Sequence, residues 1–421
     1  MKRIAFLCAS VSLWLVTPLQ AADWPQWLGP NRDGSTTEVV KPWTTSPKIL
    51  WRVDVAEGHS SPVIANGKVI LHTAANESLG DDAERRAKLE YVTAYDAKKG
   101  EVAWVARMEK KPFQSMFGNG PRATPTIADN KVYCFGVTGN FAMFDLATGK
   151  LLADPIDLVE EYKAAVPKFG VSAAPLVEAG KVYLQVGGSE GGVVALDAKT
   201  GKFSHKYLKE PASYSALNAV GVGADRQIVV LNSEAVFGLP PAGGEPIWRY
   251  RFKDLLSESS TTPTKAGDKL IISSVTLGMV SLKLAENDRP TPNEAWRNPK
   301  LSCYFSTPVS VGKHLFVVTG RLIPPAQADL HCVNLDHGKI LWTRPKIGQY
   351  GATLIRTGDD KLLMLEEGGD LVLIQPDAGE YKELSRAKVC GNTWAHPAVA
   401  DGCLYVRDRN ELICVQLSPN S

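Results

Sequence analysis

The sequence predicts an all-β protein, an eight-bladed β-propeller whose blades are four-stranded antiparallel sheets. Three observations support this prediction: one short phrase recurs along the chain, its copies are evenly spaced, and a second phrase recurs between them. The composition agrees, because 36 Gly and 27 Pro in 421 residues supply the turns that many short strands need. The formal net charge of +2 argues against a nucleic-acid partner, since such surfaces carry a clustered basic excess.

The first phrase consists of small residues, a proline and an apolar pair, followed by a turn and alternating β-branched residues. Six copies keep the proline and two replace it, and the eight anchor positions are Pro62, Pro125, Pro175, Asn218, Pro263, Pro308, Thr353 and Pro397. The last five spacings lie between 43 and 45 residues, whereas insertions stretch the first two to 63 and 50. A period near 45 residues with several strands per repeat is typical of propellers.

The second phrase is an Asp-x-x-x-Gly turn, found at Asp96–Gly100, Asp145–Gly149 and Asp197–Gly201. Aspartate accepts hydrogen bonds from the amides of such a turn, and glycine adopts the positive φ that closes it. The outer strand that follows favours tryptophan, and the eight equivalent positions are Trp51, Trp104, Ala153, His205, Trp248, Trp296, Trp342 and Glu383. We expect the large rings to fill the wedge between neighbouring blades.

The order of the repeats predicts how the ring closes. Ile49-Leu50-Trp51 precedes the first complete repeat, and the last repeat ends at Cys414-Val415-Gln416-Leu417 without an outer strand of its own. The N-terminal strand is therefore expected to complete the last blade, which removes exposed sheet edges. Residues 22–421 are expected to form this single propeller domain. Residues 76–90 and 157–163 interrupt the β pattern and are expected to be short helices at a blade rim.

Residues 1–21 are predicted to be a cleaved signal peptide. A basic start, Met1-Lys2-Arg3, precedes an apolar run from Ile4 to Val16, and small residues at Ala21 and Ala22 suit cleavage. The alternative is a membrane anchor, although the apolar run is short for a span and no later segment is long enough for one. The expected location is therefore the periplasm or the exterior, where disulfides are permitted.

Six cysteines follow the signal segment: Cys134, Cys303, Cys332, Cys390, Cys403 and Cys414. Cys403 and Cys414 flank a turn and are the candidate disulfide. The alternative of equal weight is a pair of buried thiols on neighbouring strands. The chain has no Cys-x-x-Cys sequence, so neither a redox pair nor a zinc knuckle is indicated.

The Asp-x-x-Thr-Gly-Lys turn with its following Trp resembles the repeat of pyrroloquinoline-quinone-type propellers, over essentially the whole mature chain. The opening Asp23-Trp24-Pro25-Gln26-Trp27-Leu28-Gly29-Pro30-Asn31-Arg32-Asp33-Gly34 is similar to the start of secreted bacterial proteins with quinone-binding-like propeller repeats. Residues 117–125 and 393–397 are similar to the same group. Related propellers include quinoprotein alcohol dehydrogenases and the scaffold lipoprotein of outer-membrane protein assembly.

The resemblance implies two different kinds of activity. For the dehydrogenases it implies pyrroloquinoline quinone with calcium as cofactors. The adjacent Cys-Cys pair typical of those enzymes is absent from this chain, and no local motif transfers a calcium ligand or an Asp base onto it. We therefore assign no catalytic residue and no metal ligand from the sequence.

A ligand would sit in the axial funnel, because the inner strands converge on the axis and carry the residues that precede each anchor there. The candidate ligand-binding residues are His59, Arg122, Tyr214, Glu258, Tyr304, Tyr350, Trp394 and His396. An arginine can grip a carboxylate, an aromatic ring can stack on a planar ligand, and a histidine can transfer a proton near neutral pH. The alternative is that these side chains pack a narrow axis without any ligand.

Two functions remain open at this stage. The first is a non-catalytic binding or scaffold module, expected to be a monomer, for an envelope protein or a polysaccharide. The second is a quinone-dependent oxidoreductase that acts on an alcohol or a sugar, with its cofactor in the funnel and Glu258 as the nearest acid. The missing enzyme signature favours binding, although the fold alone does not decide, since one architecture hosts both functions.

Overall fold

The computed structural model describes residues 23–221, 223–284, 291–320 and 325–417. Within these ranges, thirty-two β-strands form eight four-stranded antiparallel sheets. The predicted eight-bladed propeller is therefore confirmed. The predicted signal peptide, residues 1–21, lies outside the described residues. No helix in the described ranges is long and apolar enough to cross a membrane.

The blades are numbered here from the first complete sheet, and in blades 1 to 7 the strands follow chain order from the axis outwards. Blades 1 to 4 contain β2 (Val63–Ala65), β3 (Lys68–Ala74), β4 (Leu89–Asp96), β5 (Val102–Glu109); β6 (Thr126–Ala128), β7 (Lys131–Phe135), β8 (Asn140–Asp145), β9 (Ile156–Asp157); β10 (Leu176–Glu178), β11 (Lys181–Gln185), β12 (Val193–Asp197), β13 (Phe203–Tyr207); and β14 (Asn218–Val220), β15 (Gln227–Leu231), β16 (Ala235–Leu239), β17 (Trp248–Arg251).

Blades 5 to 8 continue the same arrangement. They contain β18 (Thr264–Ala266), β19 (Lys269–Ser274), β20 (Gly278–Lys283), β21 (Asn293–Asn298); β22 (Val309–Val311), β23 (His314–Gly320), β24 (Ala328–Asn334), β25 (Ile340–Gly348); β26 (Ala352–Arg356), β27 (Leu362–Glu366), β28 (Asp370–Gln375), β29 (Lys382–Lys388); and β30 (Ala398–Ala400), β31 (Cys403–Arg407), β32 (Glu411–Gln416), β1 (Ile49–Asp54).

Blade 8 closes the ring as predicted. Its outer strand is β1, which pairs antiparallel with β32 so that Trp51 lies opposite Cys414 and Asp54 lies opposite Glu411. The first strand of the chain and the last one thus share a ladder of hydrogen bonds. Because the ring is continuous, blade 8 buries its faces against blades 7 and 1 in one apolar cluster.

Both segments predicted as helices contain only single turns. In the first, the 3-10 helix Glu77–Leu79 and α1 (Ala83–Arg86) precede β4, which already begins at Leu89. In the second, α2 spans Leu158–Glu161. A second 3-10 helix, Gly223–Asp225, connects β14 to β15.

Asp81 ties the first of these insertions to blade 1. Its buried carboxylate accepts a hydrogen bond from the Tyr91 hydroxyl and pairs with Arg85 at 3.3 Å and Arg107 at 3.2 Å. These contacts, the Tyr91 hydrogen bond first among them, hold the pKa of Asp81 below its usual range. The acidic stretch at residues 81–84 is thus held by side chains of the same blade.

The hydrophobic core lies in layers between blades. One such layer joins Val92 and Met108 of blade 1 to Cys134 and Phe144 of blade 2. Both faces of each inner strand are covered in this way, so those strands are almost continuously apolar. Each blade therefore depends on its two neighbours for its buried surface.

Tryptophan rings connect successive blades, as predicted. Trp104 of β5 donates its Nε1 hydrogen to the carbonyl oxygen of Leu146 at 3.0 Å, and its ring covers Gly149 in the turn after β8. Gly149 has a φ of +71°, and a Cβ atom there would lie 2.6 Å from the Trp104 ring. Glycine is thus required at this position for two reasons: the positive φ of the backbone, and the Trp104 ring that occupies the space of a Cβ atom.

The same contact recurs around the ring with substitutions. Trp51 covers Gly100 and Trp296 covers Gly338, each with an Nε1 hydrogen bond to the next blade. Where tryptophan is absent, His205 lies against Gly243. Trp248 is different, because its Nε1 bonds to Gln227 within its own blade at 2.5 Å.

The centre of the propeller is filled by residues 24–36, which we call the axial plug. Trp24 forms a two-way backbone bridge with Ile64 of blade 1, with N···O distances of 3.0 and 2.8 Å. The carbonyl of Pro25 accepts the amide hydrogen of Ile127 in blade 2 at 2.7 Å, and Thr36 donates to Arg356 of blade 7 at 2.9 Å. The plug therefore adds backbone hydrogen bonds to the inner strands of blades 1, 2 and 7.

Further contacts of the plug, four through side chains and one at Gly34, reach the other five blades. Arg32 is 5% exposed and donates to the carbonyl oxygens of Pro175, at 3.4 Å, and Leu217, at 3.5 Å, before blades 3 and 4. Burial lowers the pKa of Arg32 to about 9. Trp27 donates to Thr262 beside blade 5, Gly34 packs against Val309 of blade 6, and the rings of Trp24 and Trp27 contact a histidine of blade 8. The plug thus contacts all eight blades.

Cys403 and Cys414 are free buried thiols on the neighbouring strands β31 and β32. In the register of this pair, Cys414 lies opposite Tyr405 and Cys403 lies opposite Gln416. The two cysteines are therefore offset by two residues rather than directly opposed. The structure records both as free thiols, and the disulfide between them stays a prediction.

We predict that Gly149→Ala destabilises the protein more than Gly180→Ala. The two glycines share a positive φ, +71° and +72°, but a Cβ at Gly180 would meet nothing within 4 Å. Each change should cost about 1–2 kcal/mol of backbone strain, and Gly149→Ala should add about 1–3 kcal/mol from the clash with Trp104. Urea unfolding followed by circular dichroism measures the difference. Equal losses for the two variants would show that the tryptophan contact contributes little.

Candidate functional site

A cavity of about 170 Å³ opens on the propeller axis, lined by loops that lead into the inner strands. Six of the eight predicted residues line it: His59, Arg122, Tyr214, Glu258, Tyr304 and Trp394. Trp27 of the axial plug also lines the cavity, so the plug closes its inner end. The predicted axial funnel is therefore a blind pocket rather than a channel.

Two predicted residues lie elsewhere. Tyr350 lines a second cavity of about 290 Å³, which shares the walls formed by His59 and Trp394 with the first. His396 lines neither cavity: it is 4% exposed, its ring lies 5.9 Å from Trp24 and 5.6 Å from Trp27, and its Nδ1 lies 2.8 Å from its neighbour's carbonyl oxygen. The axial plug occupies the axis at the depth of His396, which therefore packs against the plug instead of facing a ligand.

Four aromatic walls of the cavity are not among the eight candidates: Trp27, Phe117, Phe169 and Phe305. Phe305 stands three residues before an anchor, as His59 and Trp394 do. Phe117 and Trp27 lie in the stretches that carry the family resemblance, and that was the signal which could have indicated them. Phe169 lies in the insertion that stretches the second repeat, so its distance from the anchor follows no repeat rule. Only the folded insertion brings it to the axis.

The aromatic walls form a continuous chain of ring contacts around the cavity. The centroid distances are 4.1 Å for Tyr304 and Phe305, 5.5 Å for Phe305 and Trp394, 5.4 Å for Trp394 and His59, 5.7 Å for Trp394 and Phe117, 5.3 Å for Phe117 and Phe169, and 5.7 Å for Phe169 and Tyr214. Flat apolar surfaces of this kind suit an apolar or aromatic group.

Glu367 orients one of these walls. Its Oε1 accepts the Nε1 hydrogen of Trp394 at 2.7 Å, and its Oε2 accepts the backbone amides of Gln349 and Tyr350 at 2.7 and 2.8 Å. One carboxylate thus holds the indole and the loop that enters blade 7. Glu367 lines the second cavity described above and not this one, so towards this cavity its part is to position Trp394.

His59 is held neutral. Its Nε2 lies 2.6 Å from the carbonyl oxygen of Phe117, so this nitrogen carries the hydrogen and donates it. Burial lowers the pKa of His59 to about 4, with the charges of Arg122 and Arg407 acting in the same direction. The imidazole is therefore uncharged near neutral pH and is not a cationic proton donor there.

Arg122 brings a positive charge to the cavity. Its guanidinium donates to the carbonyl oxygens of Gly120 and Gly118, the latter at 2.7 Å, and lies over the Phe113 ring at 5.2 Å. Burial lowers its pKa, and the negative charges of Glu57 and Glu90 oppose that effect. No described carboxylate lies within ion-pair distance of it, although such pairing is the usual compensation for a buried cation.

Glu258 brings the opposite charge. Its Oε2 accepts the hydroxyl hydrogen of Tyr304 at 3.0 Å, and no lysine or arginine of the described ranges pairs with it. Burial raises the pKa of Tyr304, and the nearby charge of Glu258 adds to the effect. The pKa of Tyr214 is raised by burial and by Glu258 and lowered by Arg122, so the Tyr214 hydroxyl lies within electrostatic reach of both charges.

The cavity does not fit the calcium and quinone pair that the resemblance implies. Calcium takes six to eight oxygen ligands, and Glu258 is the one carboxylate in this wall. Across the described part of the chain, no group of three or more His, Cys, Asp or Glu side chains is arranged to hold a metal ion. We therefore derive no reaction step through that cofactor.

Comparison with known proteins agrees with this architecture. The model of the family described as outer membrane protein assembly factor BamB matches residues 34–155 and 92–344, which together span well over half of the chain. The chain belongs to this family. No curated protein matches it significantly in sequence.

Solved structures share the fold of this family member at low sequence identity. BamB from Moraxella catarrhalis superimposes with a TM-score of 0.61 at 14% identity, over 88% of this chain and 99% of that one. Quinohemoprotein alcohol dehydrogenase from Comamonas testosteroni gives a TM-score of 0.66 at 11% identity, over 95% and 81%. A europium-containing methanol dehydrogenase gives 0.58 at 14% identity, over 93% and 89%. These likenesses show the fold and leave the function to the site.

We predict that His59→Gln makes the stability less dependent on pH between about 6.5 and 4. The folded pKa of His59 lies below the ordinary value of 6.5, so in this window the unfolded chain binds a proton that the folded one does not, and stability falls as the pH falls. Removing the imidazole should reduce that slope by about 1.4 kcal/mol per pH unit. Urea titrations at several pH values measure it.

The matched control is His337→Gln, at an exposed position outside the cavity. This variant should keep the slope of the natural protein. An unchanged slope in His59→Gln would show that the imidazole of His59 titrates alike in the folded and unfolded chains.

Proposed function

We propose that the protein is a non-catalytic binding module of the bacterial envelope that holds a polypeptide partner at the mouth of the aromatic funnel. The observation that carries this proposal is the combination of an aromatic cavity with exposed apolar side chains on the loops around it. The family description supports a role in protein assembly, and the predicted signal peptide supports the location.

The exposed apolar side chains belong to two of the loops that also line the cavity. Met116 is 83% exposed and precedes Phe117, while Leu255 is 82% exposed and lies three residues before Glu258. The two loops are linked through ring contacts from Phe117 by way of Phe169 to Tyr214, and the Tyr214 amide donates to Ser259 at 2.9 Å. Exposed apolar side chains beside a pocket are typical of protein interaction sites.

A polypeptide fits this surface better than a polysaccharide. The hydroxyl groups of a sugar need polar partners, but the hydroxyls of Ser172 and Ser260 in the wall already donate to the backbone carbonyls of Tyr214 and Tyr304. Thr262 likewise accepts the indole hydrogen of Trp27. The rim side chains Met116 and Leu255 offer apolar contact only.

The oxidoreductase is the second candidate, supported by the likeness to quinohemoprotein alcohol dehydrogenase. The cavity of about 170 Å³ is smaller than the roughly 300–1,000 Å³ of pockets for drug-sized ligands. Glu258, its one carboxylate, does not supply the ligands that calcium needs. His59, its neutral histidine, is not a charged proton donor. These features support binding as the first candidate.

Photo-crosslinking tests the proposed polypeptide site. A photoreactive phenylalanine analogue in place of Met116 or Leu255 should form adducts in intact cells that protease digestion removes, because both positions face the partner. The same analogue in place of Phe203, which is 55% exposed on an outer strand, is the control and should form few adducts. Adducts that resist protease but yield to glycan cleavage would favour a polysaccharide partner instead.

Titration with pyrroloquinoline quinone, with and without calcium, tests the second candidate. We expect no saturable quenching of tryptophan fluorescence at micromolar concentrations and no rise in the thermal midpoint. Micromolar binding that raises the midpoint would overturn the order of the two functions, and dye-linked oxidation of alcohols and sugars would then be measured.

A further inference from the structure

The cavity contains one positive and one negative side chain that do not neutralise each other. Arg122 and Glu258 are the two residues with charged side chains in its lining. Within the described ranges neither has an ion-pair partner. Leaving opposite charges partly buried and separate costs free energy. A pair kept in this state beside an apolar pocket indicates a ligand that supplies both counter-charges.

The charge of the ligand follows by elimination. A neutral ligand would leave both charges without a partner, a simple anion would be repelled by Glu258, and a simple cation would be repelled by Arg122. A ligand that carries one ammonium and one carboxylate satisfies both side chains. Its remaining atoms would contact the aromatic walls.

Both side chains retain hydrogen-bonding capacity for such a ligand. A guanidinium has five N–H donors, and Arg122 directs two of its nitrogens at the carbonyls of Gly118 and Gly120. Glu258 accepts one hydrogen bond from Tyr304 through Oε2, and its Oε1 accepts none from a described residue. Arginine pairs well with carboxylates, and a carboxylate is a strong acceptor for an ammonium group.

The places of the two charges in the blade order favour a ligand whose own charges are separated. Arg122 precedes blade 2, Tyr214 precedes blade 4 and Glu258 precedes blade 5, so an aromatic ring separates the two charges around the cavity wall. A free amino acid holds both charges on one carbon, whereas a dipeptide separates them by a peptide unit with Cα atoms about 3.8 Å apart. The cavity volume of about 170 Å³ also limits the ligand to about this length.

We propose that the funnel binds a short zwitterionic peptide of about two residues, with its carboxylate on Arg122, its ammonium on Glu258 and an apolar side chain against the rings. The proposal rests on the proposed binding function. It names the chemical group that the cavity recognises beside the site of the polypeptide partner. Trp27 and Trp394 lie in the wall and report occupancy through their fluorescence.

Blocked dipeptides test the charge requirement without altering the protein. The probes are alanyl-phenylalanine, its N-acetyl derivative, which lacks the ammonium, and its amide, which lacks the carboxylate. In calorimetric titrations of the full mature chain we expect saturable binding of the free dipeptide and at least tenfold weaker binding of each blocked form. Equal affinities for all three, or no binding of the free dipeptide at millimolar concentration, would overturn the proposal.

Two variants assign each charge to its residue. Glu258→Gln should weaken binding of the free dipeptide at least tenfold and leave binding of the N-acetyl form unchanged. Arg122→Gln should weaken binding of the free dipeptide at least tenfold and leave binding of the amide unchanged. Glu245→Gln, an exposed acid that lines neither cavity, is the control and should bind as the natural protein does. Arg122 also binds loop carbonyls, so Arg122→Gln could fail to fold. In that case Glu258→Gln and the blocked peptides still test the proposal.

The outcome is distinguishable from failure of the proposed function. Crosslinking at positions 116 and 255 reports the polypeptide partner whether or not a dipeptide binds. If the crosslinks form and the dipeptide does not bind, the zwitterion proposal is wrong and the partner site stands. If the dipeptide binds with the expected charge dependence and no crosslinks form, the pocket is assigned and the partner site is wrong.

Discussion

The axial plug is the constraint on which the rest of the structure depends. Eight inner strands that converge on one axis leave a central opening, and residues 24–36 fill it with buried side chains and backbone hydrogen bonds to inner strands. Arg32 at the centre reaches the carbonyls that precede blades 3 and 4 at once. Because the plug contacts all eight blades, it links blades that share no interface, and it gives the funnel a closed inner end.

The outer part of the ring relies on a different contact, repeated from blade to blade. The apolar layers lie between blades, and an outer-strand ring such as Trp104 covers a turn glycine of the next blade. No blade has a core of its own, so closure through the pairing of β1 with β32 is required to bury the faces of blade 8. The inner plug and the outer ring contacts together hold the loops at the mouth of the funnel in register.

The axial plug and the loops held by the outer ring contacts together form the walls of the funnel, where a ligand would bind. Its inner end is Trp27 of the plug, its sides are aromatic, and its polar hydroxyls are already bonded within the protein. What remains for a ligand is apolar surface and two opposite charges on separate loops. Such a pocket recognises a group by shape and by charge, and His59, held neutral by burial, acts there as a wall.

The sequence by itself determined the blades, because strand spacing, turn glycines and outer-strand tryptophans are local patterns that repeat with the fold. It also indicated six of the cavity residues, since positions before each anchor must approach the axis. The tertiary structure alone decided that His396 packs on the plug whereas Trp394, two residues earlier, faces the cavity. It alone brought Trp27 to Thr262 and Phe169 to Tyr214. Depth along the axis and the path of a non-repeating segment depend on contacts between distant residues, and no local pattern encodes them.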